Sequence, residues 1–479
     1  MIFGVSSTKE APIAKIVAEL RQGGTSGVYI FSEEGCTPAD EGSSVRRSLV
    51  GDCVGVSVRG GDCSHFGVEG EAAVVTGEVY GAEGLEYFAR DILKAVENGH
   101  ITDLMRRAKA EVATLLFREG RVVAVSDGLG RRTLYYGLGE GFVVFSNRKR
   151  VVEAVGVEPR LVPAGSMVFA SEGKIRNIET WYRIPESYEK SLSFEEAVEG
   201  VSLALRKAVL ERSSGKICVL FSGGLDSTII ASVLRESGVK CRLYCSGFEG
   251  SKDVENAVST GEEIGLEVKV KYISEEELLD VLPIVVKAFG RNTLNVELSI
   301  PIFLALSAAR RDGCEYAING TGADELFGGY SRFVSALNEG DYEALHSTLI
   351  YYLNMLPERD LAREEEVAGS VGISLRRPFL DVDLVEYAVR IPPQYKIAKT
   401  REGCIRKYIL RRVAERFNVP RSAIERKKIA LQYGSGVDKA LRRIARRKGF
   451  TKREAKGKGF RGELEYFLEA IKLKVTAQS

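Results

Sequence analysis

The chain is short of several residue types, and each shortage narrows the class of function. Histidine occurs three times, methionine four times and tryptophan once in 479 residues. The eight cysteines, at 36, 53, 63, 218, 241, 245, 314 and 404, form no Cys-x-x-Cys pair. Few imidazoles and scattered thiols together argue against a zinc site. Thiols of this kind, with no secretory leader at the start, fit a reducing cytoplasm. No apolar run approaches the length that crosses a bilayer, so no membrane partner is expected. An excess of one charge is missing too: 68 Lys and Arg stand against 66 Asp and Glu, a net charge of +2. The whole chain is therefore no polyelectrolyte.

What is present is apolar material and glycine. Hydrophobic residues make up 44% of the chain, ample for more than one core at a length that implies two or three domains. Up to about residue 185 the sequence consists of short runs rich in Val and Gly, such as VGVSVRGG, FGVEGEAAVVTGEVY and EVATLLFREGRVVAVSDGLG. These read as strands joined by Gly turns, an antiparallel β-rich domain over 1–185 with helix confined to about 83–110. The polar passage RIPESYEKS follows, and Ser193-Phe194-Glu195-Glu196 is a capping box opening a long amphipathic helix. Beyond 192 the order changes to KICVLF, a helix to Glu236, CRLYCSGF, a helix to Ile264 and LEVKVKYI. After about 280 the pattern is mostly helical apart from a strand at YAING (316–320). This alternation specifies a doubly wound parallel sheet with a helical C-terminal part over 192–479.

The strongest local signal is KICVLFSGGLDSTIIA at 216–231. A β-branched apolar run stops at Ser222-Gly223-Gly224-Leu225-Asp226-Ser227 and restarts as a helical pattern at about Asp226 or Ser227. Gly223 and Gly224 allow backbone angles that turn successive N–H groups onto an anion. The helix start presents unpaired N–H groups and its positive dipole end to the same point. Ser222 and Ser227 add hydroxyls, and Asp226 is placed to hold a divalent cation. The spacing is neither that of ordinary P-loops nor that of dinucleotide folds. It resembles instead the pyrophosphate loop of the ATP pyrophosphatases, which cleave ATP between the α- and β-phosphates.

Three further patches follow. INGTGADELFGGYSRF (318–333) supplies Asp324 after the strand, a partner for Asp226 in a magnesium pair unless it merely caps a helix. LRRPFLDVDLVEYAVRIPPQYKI (375–397) and RKKIALQYGSG (426–436) mix cationic groups with turn residues. Between Lys439 and Arg461 stand eleven Lys or Arg and one acid, Glu454. That run reads first as a solvated helix face and basic tail, with nucleic acid the weaker alternative.

Taken in order, the four patches resemble the asparagine synthetase family of glutamine-dependent amidotransferases. The resemblance rests on Ser222–Ser227, Gly320–Tyr330, Arg376–Asp381, and Lys428 ahead of Gly434 and Gly436. It implies ATP and Mg²⁺ as cofactors, with Ser222, Gly223, Gly224, Leu225, Asp226 and Ser227 at the phosphates. Asp226 and Asp324 would hold the metal. Leu220, Ser246, Gly247, Phe248, Gly320 and Thr321 would line the nucleotide, and Lys428 would stabilise charge at the α-phosphate. The implied reaction joins a small carboxylate, aspartate by resemblance, to ammonia with release of AMP and pyrophosphate. In the N-terminal half, Val125–Tyr136 and Phe145–Lys149 have the frame of the family's glutaminase domain. The fold expected there is the αββα sandwich of N-terminal-nucleophile hydrolases, through which the family often forms homodimers.

The chain also departs from the family. The glutaminase nucleophile is a cysteine at position 2, whereas this chain begins Met1-Ile2-Phe3-Gly4, and Cys36 lies too far in to carry a free amine. The family's Asn-Gly-Glu segment appears as Thr76-Gly77-Glu78. Both departures imply an inactive glutaminase kept as a scaffold, with free ammonia as nitrogen source. In the other half, Thr321 and Ser374 stand where the family carries carboxylates, with Glu297 and Glu325 as neighbouring replacements. Their loss weakens the case for aspartate, whose ammonium would lose its partners. An RNA-adenylating enzyme and a non-catalytic scaffold subunit remain as alternatives.

Overall fold

The computed structural model of the protein describes residues 2–7, 28–32, 35–38, 53–58, 63–68, 71–81, 84–118 and 121–478. Met1, and the side chains of Ile2, Phe3 and Cys36, lie outside the described residues. The chain divides into two compact units, Met1–Ile184 with Asn354–Ala362, and Pro185–Leu353 with Arg363–Ser479.

The first unit runs through β1 (Ile2–Ser7), β2 (Val28–Ser32), β3 (Gly35–Pro38), β4 (Cys53–Val58), β5 (Cys63–Val68), β6 (Glu71–Val79), α1 (Leu85–Glu97) and α2 (Ile101–Ala108). It continues through β7 (Ala110–Arg118), β8 (Arg121–Ser126), β9 (Tyr135–Gly139), β10 (Phe142–Ser146), β11 (Arg160–Leu161), β12 (Ser166–Ser171) and β13 (Lys174–Thr180). The strands form two antiparallel sheets, ordered β11-β9-β10-β1-β4-β2-β3 and β13-β12-β8-β7-β6-β5. Side chains alternate across a strand, so a strand apolar at every position is buried on both faces. Val74 of β6 and Leu115 and Phe117 of β7 meet Val143 and Phe145 of the other sheet. Ala73, Val75, Val112 and Leu116 point the opposite way, onto Phe88, Ile92 and Leu104 of α1 and α2. A helical layer and two stacked sheets are thus in place.

The second unit opens with α3 (Phe194–Glu211), where Ser193 and Glu196 form the expected capping box. It proceeds through β14 (Ile217–Leu220), α4 (Leu225–Glu236), β15 (Arg242–Gly247), α5 (Lys252–Glu263), β16 (Val268–Tyr272), α6 (Thr293–Arg311) and β17 (Tyr316–Ile318). Next come α7 (Ala323–Phe327), α8 (Ala362–Val371), β18 (Ser374–Arg376), α9 (Tyr408–Arg416), α10 (Leu431–Gly434) and α11 (Val437–Arg447). All five strands pair in parallel, in the order β16-β15-β14-β17-β18. From β14 the chain winds outward to β16, then returns to the other side of β14 for β17. The order therefore reverses between β14 and β17, and the loops leaving these two strands part there to leave a crevice.

Two expectations need correcting. YAING is not the last strand: β18 completes the sheet, and Ile397–Thr400 pairs with Gly403–Arg406 as a hairpin. β18 reads as loop because Arg376 and the Arg377 that follows the strand are charged, yet both are buried and satisfied. Arg376 donates to the carbonyls of Arg212 (2.9 Å) and Ser214 (2.5 Å) and stacks 3.6 Å from the Tyr316 ring centroid. The helix after the glycine loop also begins earlier than expected, at Leu225, with Gly224 as its N-cap.

Candidate active site

The loop after β14 is held open by glycine. Gly223 has φ +66°, and a Cβ there would lie 2.3 Å from the carbonyl oxygen of Asn256 on α5. The loop's hydroxyls then bond inward: Ser227 Oγ accepts from the Ser222 N–H (3.4 Å) and donates to the Gly224 carbonyl (3.2 Å), while Ser222 Oγ accepts from the Gly224 N–H (3.4 Å). No side chain caps α4, which leaves the positive end of its dipole facing the crevice. Arg426 clamps the loop from outside by donating to the Gly223 carbonyl and to Thr260 Oγ1 (3.1 Å).

Asp226 and Asp324, two residues expected to share a metal, come together at the switch between β14 and β17. Asp324 does not cap α7, whose N-cap is Gly322 with no side-chain bond. Its carboxylate meets two ammonium groups, Lys407 Nζ at 2.7 Å and Lys428 Nζ. Lys407 also donates to both oxygens of Asp226, at 2.7 and 2.6 Å. One buried ammonium therefore bridges the two carboxylates. Sequence reasoning missed Lys407, which occupies the left-handed backbone region (φ +54°) at the start of α9. Two glycines make room for this cluster. A Cβ on Gly320 would sit 2.8 Å from the Asp226 Cβ, and one on Gly329 would overlap the Asp324 carboxylate and lie 2.5 Å from Lys407 Cε.

Lys428 stands over the Tyr330 ring at 4.9 Å and keeps 35% of its side chain exposed. Loss of surrounding water lowers its pKa, and the Asp226 charge opposes that. Among the described residues no group of three or more His, Cys, Asp or Glu is placed to hold a metal. Two carboxylates nevertheless suit Mg²⁺, which usually takes one or two from protein and completes its shell with phosphates and water.

Of the expected nucleotide-lining residues, Leu220 ends β14 and packs against the core behind it. Ser246 turns inward, its hydroxyl donating to the Pro301 carbonyl at 2.6 Å. The Phe248 N–H donates to the Ser435 carbonyl at 3.0 Å, tying the end of β15 to the turn that follows Lys428. Thr321 lies within the loop from β17 and donates its hydroxyl to Glu364 Oε1 at 2.6 Å. Glu364, on α8 and 5% exposed, also accepts from Asn319 Nδ2 (3.1 Å) and Arg377 Nε (2.9 Å) at Oε2. A carboxylate is thus present at this loop, but it comes from α8. Glu297, offered as a replacement on sequence grounds, sits instead with Arg442, 3.7 Å away, where burial and Asp438 push its carboxyl up to about 8. Glu325 is buried within α7.

The basic run is largely helical, and four of its eleven cationic side chains are in ion pairs. Arg442 bonds Asp438 (2.7 Å), Arg446 bonds Glu463 (2.8 Å), and Arg443 and Arg447 both meet Glu275. In the first unit, Glu78 pairs with Arg132 at 3.2 Å. Asp127, fully buried, accepts from the Leu129 N–H (3.0 Å) and Arg131 Nε (3.0 Å) at Oδ1, and from the Arg132 N–H (3.1 Å) at Oδ2. No helix among the described residues is long and apolar enough to cross a membrane.

The chain is 30% identical over 352 residues to a provisionally named glutamine-hydrolysing asparagine synthetase of Methanocaldococcus jannaschii, a match spanning 66% of this chain and 63% of that protein. It is 29% identical over 344 residues to a glutamine-hydrolysing asparagine synthetase of Sandersonia aurantiaca (67% and 63%), and 28% over 338 residues to one of Lotus japonicus (67% and 56%). The matches thus span about three fifths of these relatives' length. The asparagine synthase family model matches residues 200–347 and 337–468. That stretch contains both carboxylates, both lysines and every loop of the crevice, and on it the chain belongs to the asparagine synthase family.

Proposed function

We propose that the second unit is an ATP-dependent, AMP-forming ligase that joins a small carboxylic acid to ammonia. The observation that carries this reading is the convergence of Asp226 and Asp324, from the loops after β14 and β17, on the Lys407 ammonium, with Lys428 on the same Asp324. Two carboxylates and two lysines at a glycine loop are what a polyphosphate substrate requires. Its fold is then that of the pyrophosphate-loop ATPases, and the first unit's that of the N-terminal-nucleophile sandwich.

In this reading a carboxylate oxygen of the acid attacks the α-phosphorus of ATP, and the bond from that phosphorus to the β-phosphate bridge oxygen breaks, releasing pyrophosphate. Ammonia then attacks the acyl carbon, the acyl–oxygen bond breaks, AMP leaves with the bonding pair, and the extra proton on nitrogen passes to solvent. Asp226 and Asp324 would hold Mg²⁺, which when bound offsets phosphate charge. Ser222–Ser227 hold the phosphates through N–H groups and hydroxyls, and Lys428 faces the charge that grows at the α-phosphate. Fixed cations contribute most here because an anionic nucleophile approaches an anionic centre.

We further propose that the first unit does not hydrolyse glutamine. Glu78 Oε1 is engaged by Arg132, both Asp127 oxygens by Arg131 and backbone N–H groups, and the Thr76 side chain offers no amide donor. Aspartate is the first acid to test. The protein with ATP, Mg²⁺, aspartate and ammonium should yield AMP and asparagine, and Asp226→Asn should abolish acid-dependent exchange of labelled pyrophosphate into ATP. Exchange in the wild type with other acids but not with aspartate would reassign the substrate. No exchange across a panel of carboxylic acids would sink the ligase reading, and glutamate release from glutamine above a no-enzyme control would sink the nitrogen-source reading.

A further inference from the structure

Arg426 spends a charged side chain on the backbone of the glycine loop. It follows the short helix Arg421–Glu425 with extended backbone (φ −59°, ψ 134°), two residues ahead of Lys428. Burial lowers its pKa, and the Glu263 charge opposes that. Among the described residues no carboxylate pairs with it. Its guanidinium donates instead to the Gly223 carbonyl and to Thr260 Oγ1, at 3.1 Å, on α5. The Thr260 hydroxyl in turn donates to the same carbonyl at 3.4 Å. One backbone oxygen thus receives two donors, and the guanidinium orients the hydroxyl that serves as the second.

That oxygen belongs to the peptide unit joining Gly223 to Gly224. The unit is trans, so the Gly224 N–H points away from the carbonyl. Holding the oxygen on the side of Arg426 and α5 therefore turns the N–H into the loop, where it meets Ser222 Oγ at only 3.4 Å. A contact that long is weak, and an incoming anion can replace it. Nothing in the loop's own covalent structure enforces this orientation. Both flanking residues are glycine, and Gly223, at φ +66°, has no Cβ to penalise other backbone angles. Turned over, the same unit would present its carbonyl oxygen to the inside of the loop and repel a phosphate oxygen. Donors aimed at an anion before it arrives bind it without the cost of reorganisation.

The geometry points to Arg426 as a positioning residue that, with Thr260, fixes the Gly223–Gly224 peptide so that the loop offers an N–H and not a C=O to an anion. The inference rests on the reading of Ser222–Ser227 as the phosphate loop. It deepens that reading by placing control of the loop outside it, on the segment that also carries Lys428.

Calorimetric titration of magnesium pyrophosphate into the full chain tests this. The wild type should bind, and Arg426→Lys, which keeps the charge on a shorter side chain, should bind roughly tenfold more weakly. Thr260→Val, which changes no charge, should lose about threefold. Because a dipole is reoriented and no charge is removed, both losses should be the same at low and high ionic strength. Methylguanidinium should restore about threefold of the affinity lost in Arg426→Ala, and tetramethylammonium at the same concentration should restore none. Wild-type affinity in both Arg426→Lys and Thr260→Val would overturn the inference and leave the phosphate loop in place. So would losses that vanish at high salt, the mark of a through-space charge. Failure of the wild type itself to bind would sink the phosphate-loop reading, and this inference with it.

Discussion

Lys407 does in this protein what a divalent ion does in a metal site: it lets two carboxylates approach one point. Its side chain is 7% exposed, against 21% for Asp226 and 11% for Asp324, so these charges are largely removed from water. Breaking a buried pair by removing one member costs about 3–5 kcal/mol, because the other charge stays buried and unmatched. The backbone is committed as well, since a side chain at φ +54° holds a conformation that costs of order 1 kcal/mol. Lys407→Met should therefore lower stability by about 3 kcal/mol or more in chelator. It should also make the protein more responsive to Mg²⁺ than the wild type, since the ion would no longer compete with an ammonium for the two carboxylates. Melting curves with and without Mg²⁺ read both effects, and an identical Mg²⁺ response in the two proteins would contradict the role given to Lys407.

Between the elements, a carboxylate has changed its place of origin. Thr321, without the family's acid, leaves the β17 loop neutral, and α8 supplies Glu364 to it through Thr321 Oγ1, Asn319 Nδ2 and Arg377, whereas Ser374, the other such position, pairs with Tyr316 at the opposite end of the sheet. Thr321→Glu, which restores the family residue, should be unfavourable in this chain by about 2–3 kcal/mol, because it sets a second carboxylate against a buried one. In Glu364→Gln the same substitution should cost at least 1 kcal/mol less, a coupling that a double-mutant cycle measures. Additive effects would mean that Glu364 does not act on the loop.

These contacts also show what the sequence made legible. The strand, glycine turn and helix at 216–236 are local, so apolar runs and backbone freedom were enough to place them. Asp226 and Asp324 were paired from their loops because each follows a strand of one sheet. Lys407 and Glu364 carry no such signal. Each reaches the crevice from a distant segment, Lys407 on a left-handed residue after a hairpin and Glu364 beside two other glutamates on an ordinary helix. The β18 strand was hidden for a related reason. Arg376 is buried through carbonyl bonds and ring stacking, and Arg377 after it through ion pairs with Glu364 and Glu365, all of which only the tertiary structure reveals.

At the scale of the whole molecule, the two units are not cut from the chain at one point. Asn354–Ala362 packs with the first unit although the residues on either side belong to the second. Pro357 rests against Gly130, where a Cβ would meet it at 3.1 Å, and Leu356 and Leu361 are buried. A chain starting at Pro185 would expose both leucines, each worth about 1.5–3 kcal/mol of burial. It should aggregate on expression, and replacing 354–362 by a Gly-Ser linker should raise its monomer fraction in size-exclusion chromatography. An equally monomeric unmodified truncation would argue against that packing.

The same nine residues set a timetable. A ribosome that has added Ile184 must still add the residues up to Ala362 before the first unit has its last piece, a wait of roughly 10–35 s at ordinary elongation rates. During synthesis the first unit stands without this last segment while β14 to β17 of the second unit are being made, so the two units are completed in overlap and not one after the other.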